Sequence, residues 1–301
     1  MSNVIDLNTK PCLYVMVGLP GSGKSTFAHQ ELKGCVICSS DELRRTLFGD
    51  ENDQSHNDVL FITLHKQIMD NLLEGKSVVY DATNLTLKNR HATIDIIKHN
   101  INCSIVAVLM ATPIDICLIN NDSRQRKVPH EVIYNMVRKF QMPMLSEGFD
   151  QIQIAYPFAS NEAFKSDYFI DRMKGFDQHN PHHGLTLGMH CKMCAEFFNN
   201  KEQYDLAEIA LYHDIGKLYT QTFDDNGNAH YYGHENYGAY LSLFIEHSPA
   251  NKYFTEVINY HMLPFQLKNA SEKTINKYKW LLGDTLWDKI NEFHIGDTAS
   301  R

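Results

Sequence analysis

A glycine-rich loop near the N-terminus constrains the fold of this chain more than any other feature. The segment Gly18-Leu-Pro-Gly-Ser-Gly-Lys-Ser-Thr26 follows a short apolar run, Leu13–Val17, and precedes a segment with helical character, Ser25–Leu32. Strand, glycine loop and helix in this order, with the spacing G-x-x-x-x-G-K-S, are typical of a phosphate-binding loop. Glycines are needed because the backbone N–H groups turn inward toward the phosphates, where side chains would block them. The sequence therefore predicts a nucleotide site.

The residues of this loop have separate predicted roles in binding ATP and Mg²⁺. The positive end of the dipole of the following helix is expected to add to the attraction for phosphate. Lys24 is expected to reach the β- and γ-phosphates, and the Ser25 hydroxyl is expected to ligate Mg²⁺. The predicted ATP-binding residues of the loop are Gly21, Ser22, Gly23, Lys24, Ser25 and Thr26.

Composition indicates a globular protein of the cytoplasm. The chain has 301 residues, enough for two domains of ordinary size, and 43% of them are hydrophobic. No apolar run approaches the roughly 20 residues of a membrane span, and residues 1–10 lack the pattern of a signal peptide. Seven cysteines without framework spacing fit reduced thiols. The net charge of −8 argues against broad, non-specific binding of nucleic acid.

Residues 1–155 alternate apolar runs with helical patterns, which predicts a parallel sheet flanked by helices. A domain of this class binds its ligands at the carboxyl ends of its strands. We therefore expect an α/β domain over residues 1–160, with its site residues directly after strands. The predicted strands are Leu13–Val17, Cys35–Cys38, Ser77–Tyr80, Ser104–Leu109 and Gln151–Ala155.

Polar residues follow the second and third predicted strands. Asp41, in Ser39-Ser-Asp-Glu-Leu-Arg44, can either cap a helix or accept the proton of an acceptor hydroxyl. Asp81, in Asp81-Ala-Thr-Asn84, can either form an Asx-turn or order the acceptor or Mg²⁺-bound water. The residues alone leave both pairs of alternatives open.

A basic segment, Asp122-Ser-Arg-Gln-Arg-Lys-Val-Pro129, lies between two predicted helices. In a kinase, a loop at this point of the chain is expected to close over the phosphates. Arg124 and Arg126 suit that role because a planar guanidinium binds phosphate oxygens and neutralises charge in the transition state. A solvated run of charges is the alternative interpretation.

Taken together, the glycine-rich loop, the two strand-end segments and the basic segment resemble the 5′-kinase domain of phage and bacterial polynucleotide kinases. The resemblance covers about half of the chain. It implies an α/β P-loop kinase domain that transfers the γ-phosphate of ATP to a 5′-hydroxyl. By matching position, it implies ATP and Mg²⁺ binding by Lys24 and Ser25, a general base at Asp41, acceptor binding by Arg44, Asp81 and Asn84, and a phosphate clamp formed by Arg124 and Arg126.

Residues 161–301 are predicted to form an all-α domain with a metal site. The pattern is helical from Leu185 onward except around the turn Asp224–Asn228, and most of the 16 histidines lie after residue 178. Histidine is the commonest metal ligand. Imidazole and carboxylate together suit Mn, Fe, Co, Ni or Zn, with open positions left for water. The candidate ligands are His190, His213, Asp214, His234, His261 and Asp297.

The order H…HD…D, with His213-Asp-Ile-Gly-Lys217 at its centre and Asn180-Pro-His-His183 upstream, resembles the HD superfamily of metal-dependent phosphohydrolases. The resemblance covers about residues 175–301. It implies one or two divalent ions that activate water, with Lys217 as a further contact to phosphate. By position, the core ligands are His190, His213, Asp214 and Asp297, and the ligands of members with two metals are His234 and His261.

Adding and removing phosphate on one chain would be futile on the same group, but it is useful on opposite ends of a strand. The two resemblances together imply a bifunctional enzyme that heals RNA or DNA ends, as an ATP-dependent 5′-kinase and a metal-dependent 3′-phosphatase. Opening of 2′,3′-cyclic phosphates is a further possibility. The alternatives are a nucleoside or small-metabolite kinase fused to a nucleotidase, and a non-enzymatic switch gated by a nucleotide.

Overall fold

The computed structural model describes residues 10–50, 55–158, 166–180, 184–245 and 252–300. The chain falls into two compact units: unit 1 is Met1–Pro129 with Pro143–Phe158, and unit 2 is His130–Met142 with Ala159–Arg301. The predicted domain boundary at residue 160, like His182 and His183, lies outside the described residues. None of the described helices combines the length and the apolar character that a membrane span requires.

Unit 1 is built on a parallel sheet whose strands are β1 (Cys12–Val17), β2 (Val36–Ser39), β3 (Val78–Asp81), β4 (Ser104–Met110) and β5 (Gln151–Ala155). Their order across the sheet is β2-β3-β1-β4-β5. Every residue of β1 is buried, as expected of a central strand that is covered on both faces. β1 pairs with β3 on one side and with β4 on the other. The chain segments that leave the carboxyl ends of these neighbouring strands therefore run in opposite directions, and a crevice forms at this edge of the sheet. The predicted α/β class and its parallel sheet are confirmed.

The helices of unit 1 are α1 (Lys24–Glu31), α2 (Ser40–Phe48), α3 (Asn57–Leu73), α4 (Leu87–Asn100) and α5 (Ile114–Asp122). Capping side chains define two of the starts, since Ser39 accepts from the N–H of Glu42 and Thr86 accepts from the N–H of Asn89. The apolar face of α3 that recurs every four residues is buried against the sheet, as its spacing predicts.

A buried ion pair joins α4 to the turn that precedes β5. The Nε and Nη2 atoms of Arg90 each donate to one carboxylate oxygen of Glu147 at 2.7 Å, and both side chains are fully buried. Arg90 also donates through Nη1 to the carbonyl of Asn84 at 3.1 Å. The second partner of Glu147 is the Met144 N–H, at 2.9 Å. These bonds supply the partners without which burying two charges would be strongly unfavourable.

Unit 2 is mainly helical, as expected, and it has a short hairpin at the turn that the sequence pattern excepted from the helical prediction. Two short antiparallel strands, β6 (Thr222–Phe223) and β7 (Ala229–His230), flank the turn around Asp224. The carboxylate of Asp224 accepts from the N–H groups of Asn226 and Asn228, which closes the turn. The helices are α6 (His130–Val137), α7 (Ser166–Met173), α8 (Leu187–Asn199), α9 (Tyr204–Tyr212), α10 (Lys217–Thr220), α11 (His234–Ser242), α12 (Lys252–Tyr260), α13 (Leu263–Gln266) and α14 (Glu272–Ala299).

Residues 130–142 belong to unit 2, although the sequence interpretation placed them in the first domain. The ring of Phe140 packs edge-on against Tyr240, with 5.2 Å between ring centroids. Asn259 accepts from the Met142 N–H at 2.8 Å and donates to the Phe140 carbonyl at 3.1 Å. The periodicity of α6 predicts an amphipathic helix, but periodicity does not specify which core its apolar face joins.

Candidate active sites

The glycine-rich loop links β1 to α1 and has the backbone geometry that the motif requires. Gly21 and Gly23 have φ values of 77° and 87°, in the left-handed region that favours glycine. A side chain at Gly21 would also place its Cβ 2.2 Å from the carbonyl oxygen of Cys117 on α5. The loop is therefore held tightly against α5, and its shape depends on glycine for two separate reasons.

Lys24 lies at the end of the loop with its ammonium group directed back along it. The Nζ atom donates to the carbonyls of Gly18 and Leu19 at 3.1 and 2.8 Å. Burial lowers the pKa of Lys24, while the nearby carboxylate of Asp81 opposes that shift. A bound phosphate would give the same ammonium a stronger, charged partner.

Ser25 and Asp81 form a direct contact at the carboxyl ends of the strands. The Ser25 hydroxyl donates to Oδ2 of Asp81 at 2.6 Å, and Asp81 is buried at the end of β3. A hydroxyl and a carboxylate are hard oxygen ligands of the kind Mg²⁺ prefers, with water completing its shell. Of the two predicted roles for Asp81, this contact favours ordering Mg²⁺-bound water.

Asp41 is free of the capping role that was its alternative, because Ser39 caps α2. Its side chain is half exposed and contacts two arginines: Arg126 at 2.6 Å and Arg44 at 3.4 Å. Arg44 is buried and is fixed by a 2.8 Å bond to Oδ1 of Asn57. Asp41 thus has the exposure a general base needs, and a guanidinium group lies on either side of it.

A cavity of about 650 Å³ adjoins the loop, and Lys24, Ser25 and Arg124 line it. Tyr156 and Phe158, which follow β5, also line it and were not predicted. They stand where the periodic pattern of the first half ends, so no sequence signal singles them out. The cavity is of the size that ligand pockets have, roughly 300–1,000 Å³.

Asn84 does not occupy the acceptor-binding position that was predicted for it. The residue is buried with a φ of 46°, and its Nδ2 atom donates to the carbonyl of Met16 on β1 at 2.9 Å. A side-chain amide used in this way supports the strand beneath the loop. The prediction failed because a polar residue after a strand can turn inward to a backbone carbonyl as readily as outward to a ligand.

The six candidate metal ligands of unit 2 are all buried and converge on one region. His190 Nε2 lies 3.0 Å from Asp297 Oδ1 and 3.3 Å from His213 Nε2. His213 Nε2 lies 3.3 Å from Asp214 Oδ2. These contacts bring together three different parts of the chain: α8, the turn after α9, and the last part of α14 beyond the break at Gly283.

A second group shares Asp214 with the first. The other carboxylate oxygen, Oδ1, lies 3.2 Å from His234 Nε2 and 3.6 Å from His261 Nε2. None of these three buried atoms has a hydrogen-bond partner among the described residues. Buried polar atoms without partners are costly, and their convergence is the arrangement expected of ligands that face an ion.

The spacing of these atoms fits transition-metal coordination. Ligands about 2.1 Å from an ion at tetrahedral or octahedral angles lie about 3.0–3.4 Å apart. The separations in both groups fall at or near that range. Within each group the ligand atoms lie within 4.8 Å of one another: His190, His213 and Asp214 in one, and Asp214, His234 and His261 in the other.

The four imidazoles are oriented by their other ring nitrogens. Nδ1 faces a backbone carbonyl at 2.8 Å in His213, His234 and His261, and at 3.1 Å in His190. An Nδ1–H donated to a carbonyl leaves Nε2 as the lone-pair nitrogen, directed toward the cluster. This support is characteristic of metal-binding histidines. The ring of Phe293 on α14 closes the apolar side, 5.4 Å from the ring of His213.

Without metal, protons hold the charge balance of this cluster. Burial opposes the charged form of His213, but Asp214 outweighs that effect and holds the pKa of His213 well above its ordinary value. Burial would likewise raise the pKa of Asp214, but His213 and Lys217 hold it well below the ordinary value. Lys217 donates to Asp214 Oδ2 at 2.7 Å and is buried, so its predicted contact to phosphate requires a ligand that reaches the cluster itself. A divalent ion would displace the proton from the cluster.

Comparison with known proteins supports the kinase half. Residues 13–143 match a protein-family model described as an AAA domain. The L-seryl-tRNA(Sec) kinase of Methanococcus maripaludis is 28% identical over 145 residues, which are 46% of this chain and 56% of that protein. A bifunctional polynucleotide phosphatase/kinase of Acanthamoeba polyphaga mimivirus is 30% identical over 47% of this chain and 32% of that protein.

A further relative, the bifunctional polynucleotide phosphatase/kinase of Schizosaccharomyces pombe, is 26% identical over 47% of this chain and 32% of its own length. The chain thus spans between about a third and just over half of the length of these relatives. Family model, sheet topology and relatives agree on one conclusion: the N-terminal part of this chain is a parallel-sheet α/β P-loop domain that is similar in sequence to kinases.

Proposed function

We propose that this chain repairs nucleic-acid ends, with an ATP-dependent polynucleotide 5′-hydroxyl kinase in unit 1 and a metal-dependent 3′-phosphatase in unit 2. The observation that carries the proposal is the convergence of six buried His and Asp side chains in a chain whose N-terminal P-loop domain is similar to kinases. Two of the relatives are named as combining phosphatase and kinase. The two activities then act on opposite ends of a broken strand.

In the kinase site, the acceptor hydroxyl attacks the γ-phosphorus of ATP while ADP leaves, and Asp41 accepts the hydroxyl proton. The exposure of Asp41 and its position at the carboxyl edge of the sheet support this role. Arg124 and Arg126 would bind the phosphates, where guanidinium groups stabilise the developing charge. Mg²⁺, which Ser25 and Asp81 would hold, neutralises the charge of the phosphates when it is bound.

In unit 2, the six ligands would hold one or two divalent ions of the Mn, Fe, Co, Ni or Zn type. A bound ion supplies an activated water and a Lewis acid for the phosphate oxygens. The chain itself orients the imidazoles through their Nδ1 bonds, so that Nε2 is directed toward the ion, and it excludes bulk water by burial. Lys217 adds a cation beside Asp214, toward which a phosphate monoester would be drawn.

A second candidate changes the acceptor of the kinase rather than its chemistry. The L-seryl-tRNA(Sec) kinase aligns over 56% of its length, more than either polynucleotide enzyme does. The net charge of −8 also favours a small acceptor over a long polyanion. Nucleosides, small metabolites and an aminoacyl group on tRNA are therefore the competing acceptors.

The test offers ATP labelled in its γ-phosphate together with 5′-hydroxyl RNA, 5′-hydroxyl DNA or nucleosides, and separately a 3′-phosphate oligonucleotide with each divalent metal. Lys24→Ala should lower kinase activity by about 100-fold or more and spare phosphatase activity, and Asp214→Asn should do the opposite. The exposed residues Lys33 and Asp225 provide the control changes Lys33→Ala and Asp225→Asn.

Several outcomes would contradict the proposal. Transfer of label to nucleosides but not to oligonucleotides would refute the polynucleotide acceptor. Loss of both activities from either substitution would refute two separate sites. Unchanged ATP turnover in Asp41→Ala would favour the nucleotide-gated switch, which needs no acceptor base.

A further inference from the structure

A cavity of about 340 Å³ opens beside the metal-ligand cluster of unit 2. It is lined by four of the candidate ligands and by two exposed aromatic side chains, Tyr232 and Phe265, whose exposed fractions are 75% and 55%. The volume is at the lower end of the range for ligand pockets, roughly 300–1,000 Å³. The cavity therefore has room for one small organic group next to a phosphate.

Both aromatic rings are carried by the segments that carry ligands. Tyr232 lies two residues before His234, and Phe265 lies four residues after His261. The Tyr232 ring is stacked flat on His230, with 5.5 Å between centroids and 4° between planes. His230 is braced in turn by Asp224, 3.4 Å away across the β6–β7 turn. One face of a planar group is thus held in place at the edge of the cavity.

Charge in this cavity does not suit a polyanion. Of the described residues that line it, Lys217 is the only lysine or arginine, and it already pairs with Asp214 at 2.7 Å. A site that tracks a phosphate backbone needs several cations. Exposed aromatic rings offer the other means of binding a nucleotide, since every base has a face that stacks on them.

We infer that Tyr232 and Phe265 bind the terminal nucleobase of the 3′-phosphorylated substrate by stacking, and that recognition in unit 2 extends over a single nucleotide. The inference rests on the proposed phosphatase function and deepens it. On this inference, unit 2 recognises its substrate through the terminal nucleobase and not through the rest of the strand. A nucleoside 3′-monophosphate is then as complete a substrate as a long 3′-phosphorylated strand.

Binding is tested with 2-aminopurine riboside 3′-monophosphate, whose fluorescence is quenched when the base stacks. The full-length protein with Zn²⁺ is mixed with this probe, and fluorescence is read within milliseconds, before turnover. We expect quenching in the wild type and a Kd about tenfold higher in Tyr232→Ala and in Phe265→Ala. Phe223→Ala is the matched control, because Phe223 is 56% exposed and does not line the cavity. Far-UV circular dichroism checks that each variant is folded.

Steady-state kinetics test the one-nucleotide limit. The KM for a nucleoside 3′-monophosphate should be within about twofold of the KM for a ten-nucleotide 3′-phosphorylated strand, with little dependence on salt. Removal of the base, as in ribose 3-phosphate, should raise KM about tenfold in the wild type and change it little in Tyr232→Ala.

The possible failures are distinguishable. Absence of quenching, or a Kd in Tyr232→Ala and Phe265→Ala equal to that of Phe223→Ala, would overturn base stacking. A KM that falls more than tenfold with strand length would overturn the one-nucleotide limit. Intact binding without hydrolysis under any metal would support stacking while contradicting the proposed phosphatase.

Discussion

Replacement of Arg90 by methionine should destabilise unit 1 by about 3–5 kcal/mol, although Arg90 lies outside both candidate sites. The substitution removes the paired 2.7 Å bonds to Glu147 and leaves that carboxylate buried with no cation beside it. It also removes the donor to the Asn84 carbonyl, a loss of about 1–3 kcal/mol in isolation. Both interactions are made by the Arg90 side chain, so their costs are not simply added. The unpaired charge of Glu147 is the larger cost and determines the expected decrease in the free energy of unfolding. Because Asn84 supports Met16 beneath the loop, ATP binding should weaken as well.

The assay is urea denaturation followed by far-UV circular dichroism and by tryptophan fluorescence. Trp280 and Trp287 both lie in unit 2, so the fluorescence transition should move less than the dichroism transition. Arg45→Met, at an exposed arginine, is the control and should stay within about 0.5 kcal/mol of the wild type. Adding Glu147→Met to Arg90→Met should recover part of the lost stability, since no buried charge is then left unpaired. A loss below about 1 kcal/mol in Arg90→Met, or a double variant less stable than the sum of the single changes, would refute the reasoning.

Three further predictions address metal binding and pH. Asp81→Asn, which weakens the contact to the Ser25 hydroxyl, should raise the Mg²⁺ concentration for half-maximal kinase activity about 10–100-fold, measured by titration. His261→Ala should remove one ion from a two-ion centre, measured by elemental analysis, because it depletes the group that includes Asp214 Oδ1 but not the group of His190. Burial lowers the pKa of His65 from 6.5, so the unfolded chain binds more protons as pH falls and the free energy of unfolding decreases below about pH 6.5. His65→Gln should flatten that decrease, measured by urea denaturation between pH 7.5 and 5.5.

Each of these predictions has its control and its contradiction. An unchanged Mg²⁺ requirement in Asp81→Asn would refute a role of Asp81 in binding Mg²⁺. Asp70→Asn on α3 is the control and should leave the requirement unchanged. Equal metal content in His261→Ala and in His294→Ala, a change at a partly buried histidine outside both ligand groups, would indicate that one group holds all of the metal. If His65→Gln showed the same pH slope as the wild type, with His29→Gln as its control, another buried group would cause the acid sensitivity.

The sheet of unit 1 was predictable because a parallel strand covered on both faces is a continuous apolar run. Such a run, Leu13–Val17, stands immediately before the loop that ends it. The break in α14 falls at Gly283, which has a φ of 71°, and a glycine inside a helical pattern is a sequence signal for such a break. The placement of α6 was not predictable, because Phe140 and Met142 join the core of unit 2 through partners more than a hundred residues away in sequence. Local patterns carry no information on such partners.

The candidate sites divide in the same way. Motifs identify candidates such as Lys24, at the end of the glycine loop, and Asp214, which belongs to both groups of buried candidate ligands; their roles stay predictions. The direction of a single polar side chain does not follow from sequence, and Asn84 turned inward for that reason. The aromatic residues beside the two cavities were not predicted because a sequence does not show whether a tyrosine such as Tyr232 is exposed or buried. Burial had to be known before these rings could be linked to ligand binding.

One face of α14 both fills the core of unit 2 and carries Asp297, a candidate metal ligand. Ile290, Phe293 and Asp297 follow the spacing of a single helical stripe, and all are buried. The Phe293 ring also lies 6.3 Å from the ring of His261. A larger or smaller side chain at Ile290 or Phe293 would therefore shift the carboxylate of Asp297 without replacing any candidate ligand. In laboratory evolution toward a different ion, we expect substitutions at the apolar positions Ile290 and Phe293 before substitutions of the ligands themselves.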